Sequence, residues 1–137
     1  MGELTKSKRT TIEQGRAAFA FEKVESVPEK NIKEYRSLAK KLPMYIKTNG
    51  LGGAFAFSHS KSKSGNEHEL ILKHISSWLG DPKSFVPFDL PSDSKGLLEE
   101  LINMDSTAYR MITTEVLSYL NWVRRFADSK VEELKSK

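Results

Sequence analysis

The amino-acid sequence predicts an all-α protein, a compact single-domain bundle of about five to six helices that ends in a long C-terminal helix. Apolar residues recur three and four positions apart in segment after segment, the spacing of one helix face. No convincing strand pattern is present, and a proline or glycine follows most of these segments. With 137 residues, 38% apolar and 29% charged, the composition is that of a soluble globular protein. We therefore expect residues 1–137 to form one domain.

The first predicted helix begins after Thr11, which can cap its amino end while Gln14 completes a capping box. Pro28 stops this helix, because proline has no amide hydrogen to donate. Residues 1–10, "MGELTKSKRT", are expected to form a flexible basic tail. The predicted apolar face consists of Ala17, Ala20, Phe21, Val24 and Val27.

The second predicted helix begins near Asn31 and meets a proline at Pro43. It either ends at Leu42 or kinks there and continues, because proline disfavours helical geometry in the residue before it. If it continues, Asn49 and Gly50 cap its carboxyl end. Its buried residues are predicted to be Ile32, Tyr35, Leu38, Ala39 and Leu42.

The glycine-rich stretch "NGLGG" (49–53) could turn the chain or hold a phosphate. It has neither the "GxxxxGK[ST]" spacing of a phosphate loop nor the "GxGxxG" spacing of a dinucleotide fingerprint. A structural role is favoured, in which Gly50 adopts positive φ while Gly52 and Gly53 let two helices approach closely. A nest of amides that holds one phosphate is the alternative. The following "AFAF" (54–57) is predicted to be a buried helical turn.

Three further helices are predicted after a polar loop at residues 58–66. Asn66 can cap a helix that ends at Gly80, and a proline-containing loop at 81–94 leads to a short amphipathic helix, "KGLLEELINM". The last helix is predicted to run from Asp105 or Ser106 to about Leu134. Its apolar seam keeps three-four spacing and consists of Tyr109, Ile112, Val116, Tyr119, Val123 and Phe126.

Residues able to catalyse a reaction or bind a metal are few. Without cysteine the chain can form neither disulfides nor thiolate metal sites. The histidines are His59, His68 and His74, and "HELILKH" lacks the i, i+4 pair that metal binding on a helix requires. His74 falls on an apolar face and is interpreted as a core histidine with one hydrogen bond. We predict no catalytic residue, metal site or cofactor, and a metal-dependent nuclease is the least favoured function.

Basic residues are the stronger functional signal. The net charge is only +4, but residues 1–80 carry 14 Lys and Arg against 8 Asp and Glu, whereas residues 81–137 carry 8 against 10. A regular stripe of cations without a base-reading motif favours binding to nucleic-acid phosphates, although charged helix faces can also serve solubility alone. On a continuous second helix such a stripe lies opposite the apolar face and consists of Lys33, Arg36, Lys40 and Lys47.

The last helix carries further cations. Arg110 and Arg124 are 14 residues apart, so they lie on one side of the helix about 21 Å from each other. Arg124 and Arg125 can also pair locally with Asp128, at i+4 and i+3. Aromatic residues that fall off the predicted apolar faces, such as Phe19 and Trp122, are candidates for contacts with other proteins.

Targeting segments are not recognisable in the sequence. The start, "MGELTKSKRTT", has no apolar core of signal-peptide type, and no stretch approaches the roughly 20 apolar residues of a membrane span. We therefore expect a cytoplasmic protein with no membrane partner.

Three segments carry a resemblance to a known family: "RAAFAFEKV" (16–24), "YRSLAKKLPMYIKTNGLGGAFAFSHSK" (35–61) and "YRMITTEVLSYLNWVRRFA" (109–127). Together they resemble the small α-helical subunit of the type III-B CRISPR effector, the Cmr complex. The glycine pair at 52–53 departs from the family, in which bulkier residues are common there. Residues 62–105 add little to the resemblance.

The resemblance implies an all-helical, non-catalytic structural subunit without a cofactor. Such a subunit stacks with neighbouring copies of itself and with the backbone subunits that hold the crRNA, and it lines the groove in which target RNA pairs with the guide. A helical adaptor that binds only protein is the alternative. The resemblance gives the RNA-facing role to the cations that match the family's motif: Arg16, Lys40, Lys41, Lys47, Lys61, Arg110, Arg124 and Arg125. Lys33 and Arg36 are added from their spacing on the second helix alone.

Overall fold

The structure is a computed structural model that describes residues 2–84 and 86–136, with side chains described in 11–84 and 86–136. Within these residues it contains five α-helices and no strand, which confirms the predicted all-α class. The helices are α1 (Gly2–Glu25), α2 (Glu29–Lys61), α3 (Glu67–Gly80), α4 (Ser94–Asn103) and α5 (Ser106–Lys135), and a 3₁₀ turn covers Pro82–Ser84.

Helix α5 is the centre of the bundle, because α1 and α2 both pack along it. The order of the contacts shows that α1 runs parallel to α5 and that α2 runs antiparallel to it. Helix α3 packs on α2, and α4 fills the space beside α2 and α3. Each large apolar side chain buried between these layers contributes about 1.5–3 kcal/mol to folding. The largest of them include Trp78, Tyr35, Tyr119, Ile32, Leu51 and Ile71.

Helix α1 begins earlier than predicted. Its first residue is Gly2 rather than Ile12, so the expected tail at residues 1–10 is helical from residue 2 onward. Thr11 therefore lies inside the helix and does not cap its amino end. The sequence "GELTKSKR" contains neither proline nor an internal glycine that would stop a helix from extending in this direction.

The buried face of α1 is rotated relative to the prediction. Ala20, Val24 and Val27 are buried as predicted, but Phe21 is 52% exposed. Phe19 takes the inward position instead, with its ring centroid 5.2 Å from that of Trp78. The spacing favoured Phe21, which has Ala17 and Val24 on its side of the helix, whereas Phe19 has no apolar side chain three or four residues away. The contact of Phe19 with Trp78 depends on tertiary packing, which the spacing does not contain.

Helix α2 continues through Pro43 and breaks at Gly50, where φ is 81° and ψ is 160°. The positive φ, as predicted, needs a residue without a Cβ. Amides just after a break lack a helical acceptor, and that of Gly52 donates to Tyr109 Oη at 2.7 Å. A Cβ on Gly52 would lie 3.5 Å from this hydroxyl, whereas one on Gly53 would meet only Asn49 of its own helix. The glycine-rich stretch therefore turns the chain and seats it against α5.

Helices α3, α4 and α5 begin at caps whose side chains each accept a hydrogen bond from the amide three residues later. Helix α2 extends to Lys61, so the predicted loop at 58–66 is reduced to 62–66. The ends of α3 at Gly80 and of α5 at Lys135 agree with the prediction to within one residue. The capping residues are Asn66, Asp93 and Asp105.

A polar pair lies inside the core. His74 is buried, and its Nδ1 lies 2.7 Å from Tyr35 Oη, which confirms the interpretation of a core histidine with one hydrogen bond. Burial lowers the pKa of His74 from 6.5 to about 4, and the charges of Lys23 and Lys73 act in the same direction. Burial likewise raises the pKa of Tyr35. A neutral imidazole and a neutral phenol therefore share this bond at neutral pH.

Candidate nucleic-acid interface

A groove between α2 and α5, which we call the α2/α5 groove, brings together three of the predicted cations. Its volume is about 440 Å³, and Lys40, Lys47 and Arg124 line it. The antiparallel packing of the two helices places the middle of α2 opposite the second half of α5. The other lining residues are Pro43, Leu117, Ser118, Leu120 and Asn121.

The spacing of residues on both helices explains this convergence. Lys40 and Lys47 are seven residues apart, about two helical turns, and therefore share one edge of α2. Ser118, Asn121 and Arg124 follow one another at intervals of three on α5, and Arg124 donates to Asn121 Oδ1 at 3.3 Å. Within the described residues, neither Lys47 nor Arg124 forms an ion pair. Their charges are thus available to an anion that enters the groove.

Asp128 lies next to the groove and pairs across the bundle rather than along its own helix. Its Oδ1 is 3.1 Å from Lys40 Nζ and 3.9 Å from Arg36 Nη1. The predicted local pairs of Asp128 with Arg124 and Arg125 are absent from the described residues. The packing of α2 on α5 offers Asp128 two cations at once, and these replace the pairs within one helix.

The other cations of α2 do not share this surface. Lys33 lines a separate groove beside Val131 and Leu134, near the end of α5. Lys41 lines a pocket between α2 and α3. The ammonium of Lys61 lies 5.7 Å from the centre of the Phe57 ring, outside the α2/α5 groove. The predicted stripe is therefore divided along α2: all four of its residues lie toward α5, but only Lys40 and Lys47 line the α2/α5 groove.

The predicted cations of α5 are divided in the same way. Arg124 lies in the groove, whereas the guanidinium of Arg125 lies over the ring of Trp122 at 5.4 Å from its centre. Arg110 is exposed near the start of α5. Adjacent residues on a helix point about 100° apart, which is why Arg124 and Arg125 serve different surfaces.

Arg16 has its partners within the bundle. Its Nε and Nη2 donate to the two carboxylate oxygens of Glu115 at 2.7 and 2.9 Å, and its Nη1 donates to Glu13 at 2.7 Å. Trp78 Nε1 donates to the same Glu115 at 2.9 Å. The hydrogen bond to Glu115 raises the pKa of Arg16 against the opposing effect of burial. This geometry supports a structural role for Arg16 rather than contact with RNA.

A group of aromatic side chains, one exposed and two half-buried, joins α1 to α5, and we call it the aromatic patch: Phe21, Trp122 and Phe126. The Phe126 ring lies 5.4 Å from Phe21, edge to face, and 5.7 Å from Trp122, stacked. Trp122 Nε1 donates to Glu13 at 2.8 Å, which fixes the indole against α1. The sequence indicated Trp122 as an outward-facing aromatic, but it placed Phe21 in the core. Rigid aromatic surface beside an arginine, here Arg125, is typical of protein interfaces.

Neither a metal site nor a membrane span is found in the part of the chain that the structure describes. No three His, Asp or Glu side chains there lie together in a way that could hold a metal ion. None of the described helices is both long enough and apolar enough to cross a membrane.

Sequence reasoning missed two kinds of residue at the α2/α5 groove. Ser118 and Asn121 are uncharged and carry no charge signal, although intervals of three from Ser118 to Asn121 and from Asn121 to Arg124 place all three on one face. Asp128 was predicted only as a partner within its own helix. Its contact with α2 depends on how the helices pack, and no single-helix pattern contains that information.

Comparison with known proteins identifies the family of this chain. Residues 12–130 match the family described as CRISPR-associated protein (Cas_Cmr5). The chain belongs to this family. The CRISPR system Cmr subunit Cmr5 of Thermus thermophilus is 32% identical over 115 residues, which cover 83% of this chain and 90% of that protein.

A solved structure supports the same assignment. The crystal structure of a CRISPR-associated Cmr5 family protein, also from Thermus thermophilus, matches with a TM-score of 0.71 at 29% identity. The match covers 86% of this chain and 96% of the other. Membership of the family and the helical fold, which the resemblance of three segments implied, are thus confirmed.

Proposed function

We propose that this chain is a non-catalytic structural subunit of a type III-B CRISPR effector complex, and that its α2/α5 groove lies against the phosphate backbone of the paired crRNA and target RNA. Family membership supports the assignment to a Cmr complex and the structural role. The convergence of Lys40, Lys47 and Arg124 from two helices into one open groove carries the RNA-binding part of the proposal.

The chemistry of the groove fits a phosphate track better than a base. Lysine and arginine side chains contact phosphates regardless of sequence, and Ser118 and Asn121 add uncharged groups that can hydrogen bond to phosphate or sugar oxygens. Two cations without ion pairs and a third shared with Asp128 leave the groove positively charged. Binding should therefore be indifferent to sequence and should weaken steeply as salt rises.

The experiment is a measurement of RNA affinity for a triple variant, Lys40→Gln, Lys47→Gln and Arg124→Gln, with a labelled RNA duplex over a range of salt concentrations. Loss of three phosphate contacts should weaken binding about a hundredfold near 0.1 M salt and reduce the slope of log K against log salt by about 3. The matched control is Lys73→Gln, Lys95→Gln and Lys135→Gln, which changes the net charge equally at residues outside the groove.

The control separates the two explanations of any loss. If both triple variants lose affinity equally, overall charge rather than the groove explains binding. If neither variant loses affinity, or if the wild-type protein does not bind RNA, the groove has no role in RNA contact.

The alternative function is a helical adaptor that contacts only protein, and the aromatic patch favours it. Phe21 is 52% exposed and rests on Phe126, an arrangement found at the centres of protein interfaces. In our proposal the same patch contacts a neighbouring copy or a backbone subunit. Crosslinking of a reconstituted complex to labelled target RNA distinguishes the two functions, because an adaptor would take up no label.

A further inference from the structure

The two walls of the α2/α5 groove differ in their chemistry. Helix α2 contributes two cations, Lys40 and Lys47, which we call the cationic wall. Helix α5 contributes Ser118 and Asn121, which we call the neutral wall, and Arg124 lies at one end of it. An anion alone would be held as well by cations on both sides. The groove is therefore suited to a ligand that has a charged edge and an uncharged polar edge.

Polar groups of the neutral wall are free to bind a ligand. Arg124 Nη2 donates to Asn121 Oδ1 at 3.3 Å, so the amide nitrogen of this exposed side chain is left without a partner among the described residues. The hydroxyls of Thr113 and Thr114, earlier on α5, donate to main-chain carbonyls four residues before them, at 2.8 and 3.0 Å. The Ser118 hydroxyl makes no such bond within the part of the chain that the structure describes. The wall thus offers an amide donor and a hydroxyl that both donates and accepts.

A strand of paired RNA has the same two-sided chemistry. Its phosphates carry the negative charge, whereas its 2′-hydroxyls lie along the edge that faces the wide, shallow minor groove of the A-form helix. Each 2′-hydroxyl both donates and accepts hydrogen bonds, and it is the group that distinguishes RNA from DNA. The cationic wall matches the phosphates of such a strand, and the neutral wall matches its hydroxyl edge.

We propose that Asn121 and Ser118 bind ribose 2′-hydroxyls of the strand that lies in the groove, so that the groove prefers an RNA duplex to one without these hydroxyls. The phosphates of this strand face Lys40 and Lys47, and its minor-groove edge faces α5. Arg124 orients the amide of Asn121 through their hydrogen bond. The proposal rests on the proposed function, since it deepens the contact with the same paired RNA. It adds recognition of the sugar to a groove that is indifferent to base sequence.

Phosphate oxygens are the competing partners of Ser118 and Asn121, because hydroxyl and amide side chains also contact the phosphates of nucleic acids. The cations on the opposite wall disfavour this arrangement. A hydrogen bond from a charged group to a phosphate is about twice as strong as one from a neutral group, so the phosphates are drawn toward α2. The two arrangements differ in what they sense, since a phosphate contact does not depend on the sugar.

The experiment compares two labelled duplexes of the same sequence, one of RNA and one in which fluorine replaces every 2′-hydroxyl. Fluorine preserves the charge and the A-form geometry, but it donates no hydrogen bond and accepts one poorly. Wild-type protein should bind the RNA duplex about fivefold more tightly, the effect of one or two neutral hydrogen bonds. Asn121→Leu should reduce this preference to less than about twofold, and Ser118→Ala should reduce it in part. The salt dependence should stay the same in both variants, because neither removes a cation.

The matched controls remove the same groups from exposed positions outside the groove. They are Asn103→Leu on α4 and Ser129→Ala on α5, and both should keep the full preference. Urea unfolding of each variant shows whether a change in binding reflects a change in folding.

The possible outcomes separate this proposal from the proposed function. Equal binding of the two duplexes by the wild type would overturn the sugar contact, while the phosphate contacts of the groove would stand. A preference that survives Asn121→Leu as fully as Asn103→Leu would place recognition of the sugar elsewhere and would also overturn it. If the wild type binds neither duplex, the proposed function fails together with the sugar contact.

Discussion

The basic residues at the α1/α5 and α2/α5 interfaces differ in whether they are bonded within the bundle. Where α1 packs on α5, Arg16 donates to Glu115 and Glu13, and Lys130 donates to three main-chain carbonyls at the end of α1, at 2.6, 2.9 and 3.2 Å. Where α2 packs on α5, Lys47 and Arg124 line an open groove without an ion pair among the described residues. We call the first kind of cation closed, because its hydrogen bonds are made within the bundle, and the second kind open, because it has no ion pair and lines a groove.

The difference shows that a basic residue cannot be assigned a function from its type or its spacing. Arg16 and Lys130 hold α1 in place, because each satisfies polar groups that would otherwise lose hydrogen bonds on burial. Lys47 and Arg124 contribute nothing comparable to the bundle. Cations without a partner in their own chain are the ones left to bind a partner from outside.

The largest predicted change is in the free energy of unfolding, and it concerns the buried pair of His74 and Tyr35. Like Arg16, this pair makes its hydrogen bond within the bundle. Because the pKa of His74 falls from 6.5 to about 4 on folding, protonation favours the unfolded chain. Stability is full above pH 6.5 and is lost as the pH falls from about 6.5 to about 4, by about 3 kcal/mol in total. Urea unfolding at pH 5 and pH 7 measures the first part of this loss, before most carboxylates titrate.

His74→Gln removes the group with the larger shift and should make the dependence of stability on pH between 7 and 5 less steep, while His68, whose pKa is also lowered by burial, retains a smaller dependence. The exposed His59 gives a matched control, since His59→Gln should leave the dependence unchanged. An equally steep dependence in the His74 variant would show that the Tyr35–His74 contact opens readily to solvent.

The next effect is expected at Arg16. Arg16→Met keeps the packing of the stem but leaves Glu115 with only the Trp78 hydrogen bond, so the free energy of unfolding should fall by about 2 kcal/mol. Adding Glu115→Gln should restore part of it, because the amide oxygen can still accept from Trp78 and no charge remains unpaired. Chemical denaturation measures both changes.

Arg124→Met is the control from the open groove and should change stability by less than about 0.5 kcal/mol. RNA affinity should respond in the opposite sense, falling for the Arg124 variant and staying constant for the folded Arg16 variant. A large loss of stability from Arg124→Met would mean that the groove also holds the bundle together.

The sequence was sufficient to predict the fold, because each helix carries its own apolar spacing and α3, α4 and α5 also begin at side-chain caps. Asn66 and Asp105 marked two helix starts, Gly50 marked the break in α2, and the seam of α5 marked the core. These features are local. The predicted start of α1 was wrong for the same local reason, since Thr11 is a good cap that the continuing helix does not use.

The site was only partly predictable, because it is formed by two helices that are far apart in the sequence. The pattern on α2 placed four cations in one stripe, yet only Lys40 and Lys47 line the groove. Arg36 shares Asp128 with Lys40, and Lys33 lines a separate groove near the end of α5. Whether a cation is paired within the bundle depends on the residue opposite it on the neighbouring helix. Glu115 and Asp128 meet their partners only through tertiary packing, which the pattern of a single helix does not contain.

The smallest predicted change, in RNA affinity, concerns Asp128. This residue forms ion pairs within the bundle but lies next to the α2/α5 groove. Its carboxylate is 43% exposed and pairs with Lys40 and Arg36, so it competes with an RNA phosphate for both cations. Asp128→Asn should raise RNA affinity about threefold and change stability by less than about 1 kcal/mol, the usual range for an exposed ion pair. The matched control is Glu133→Gln, which alters the net charge equally on the same helix. Equal gains in both variants would point to net charge, and a loss of affinity in the Asp128 variant would show that this carboxylate orients Lys40 toward the RNA rather than competing for it.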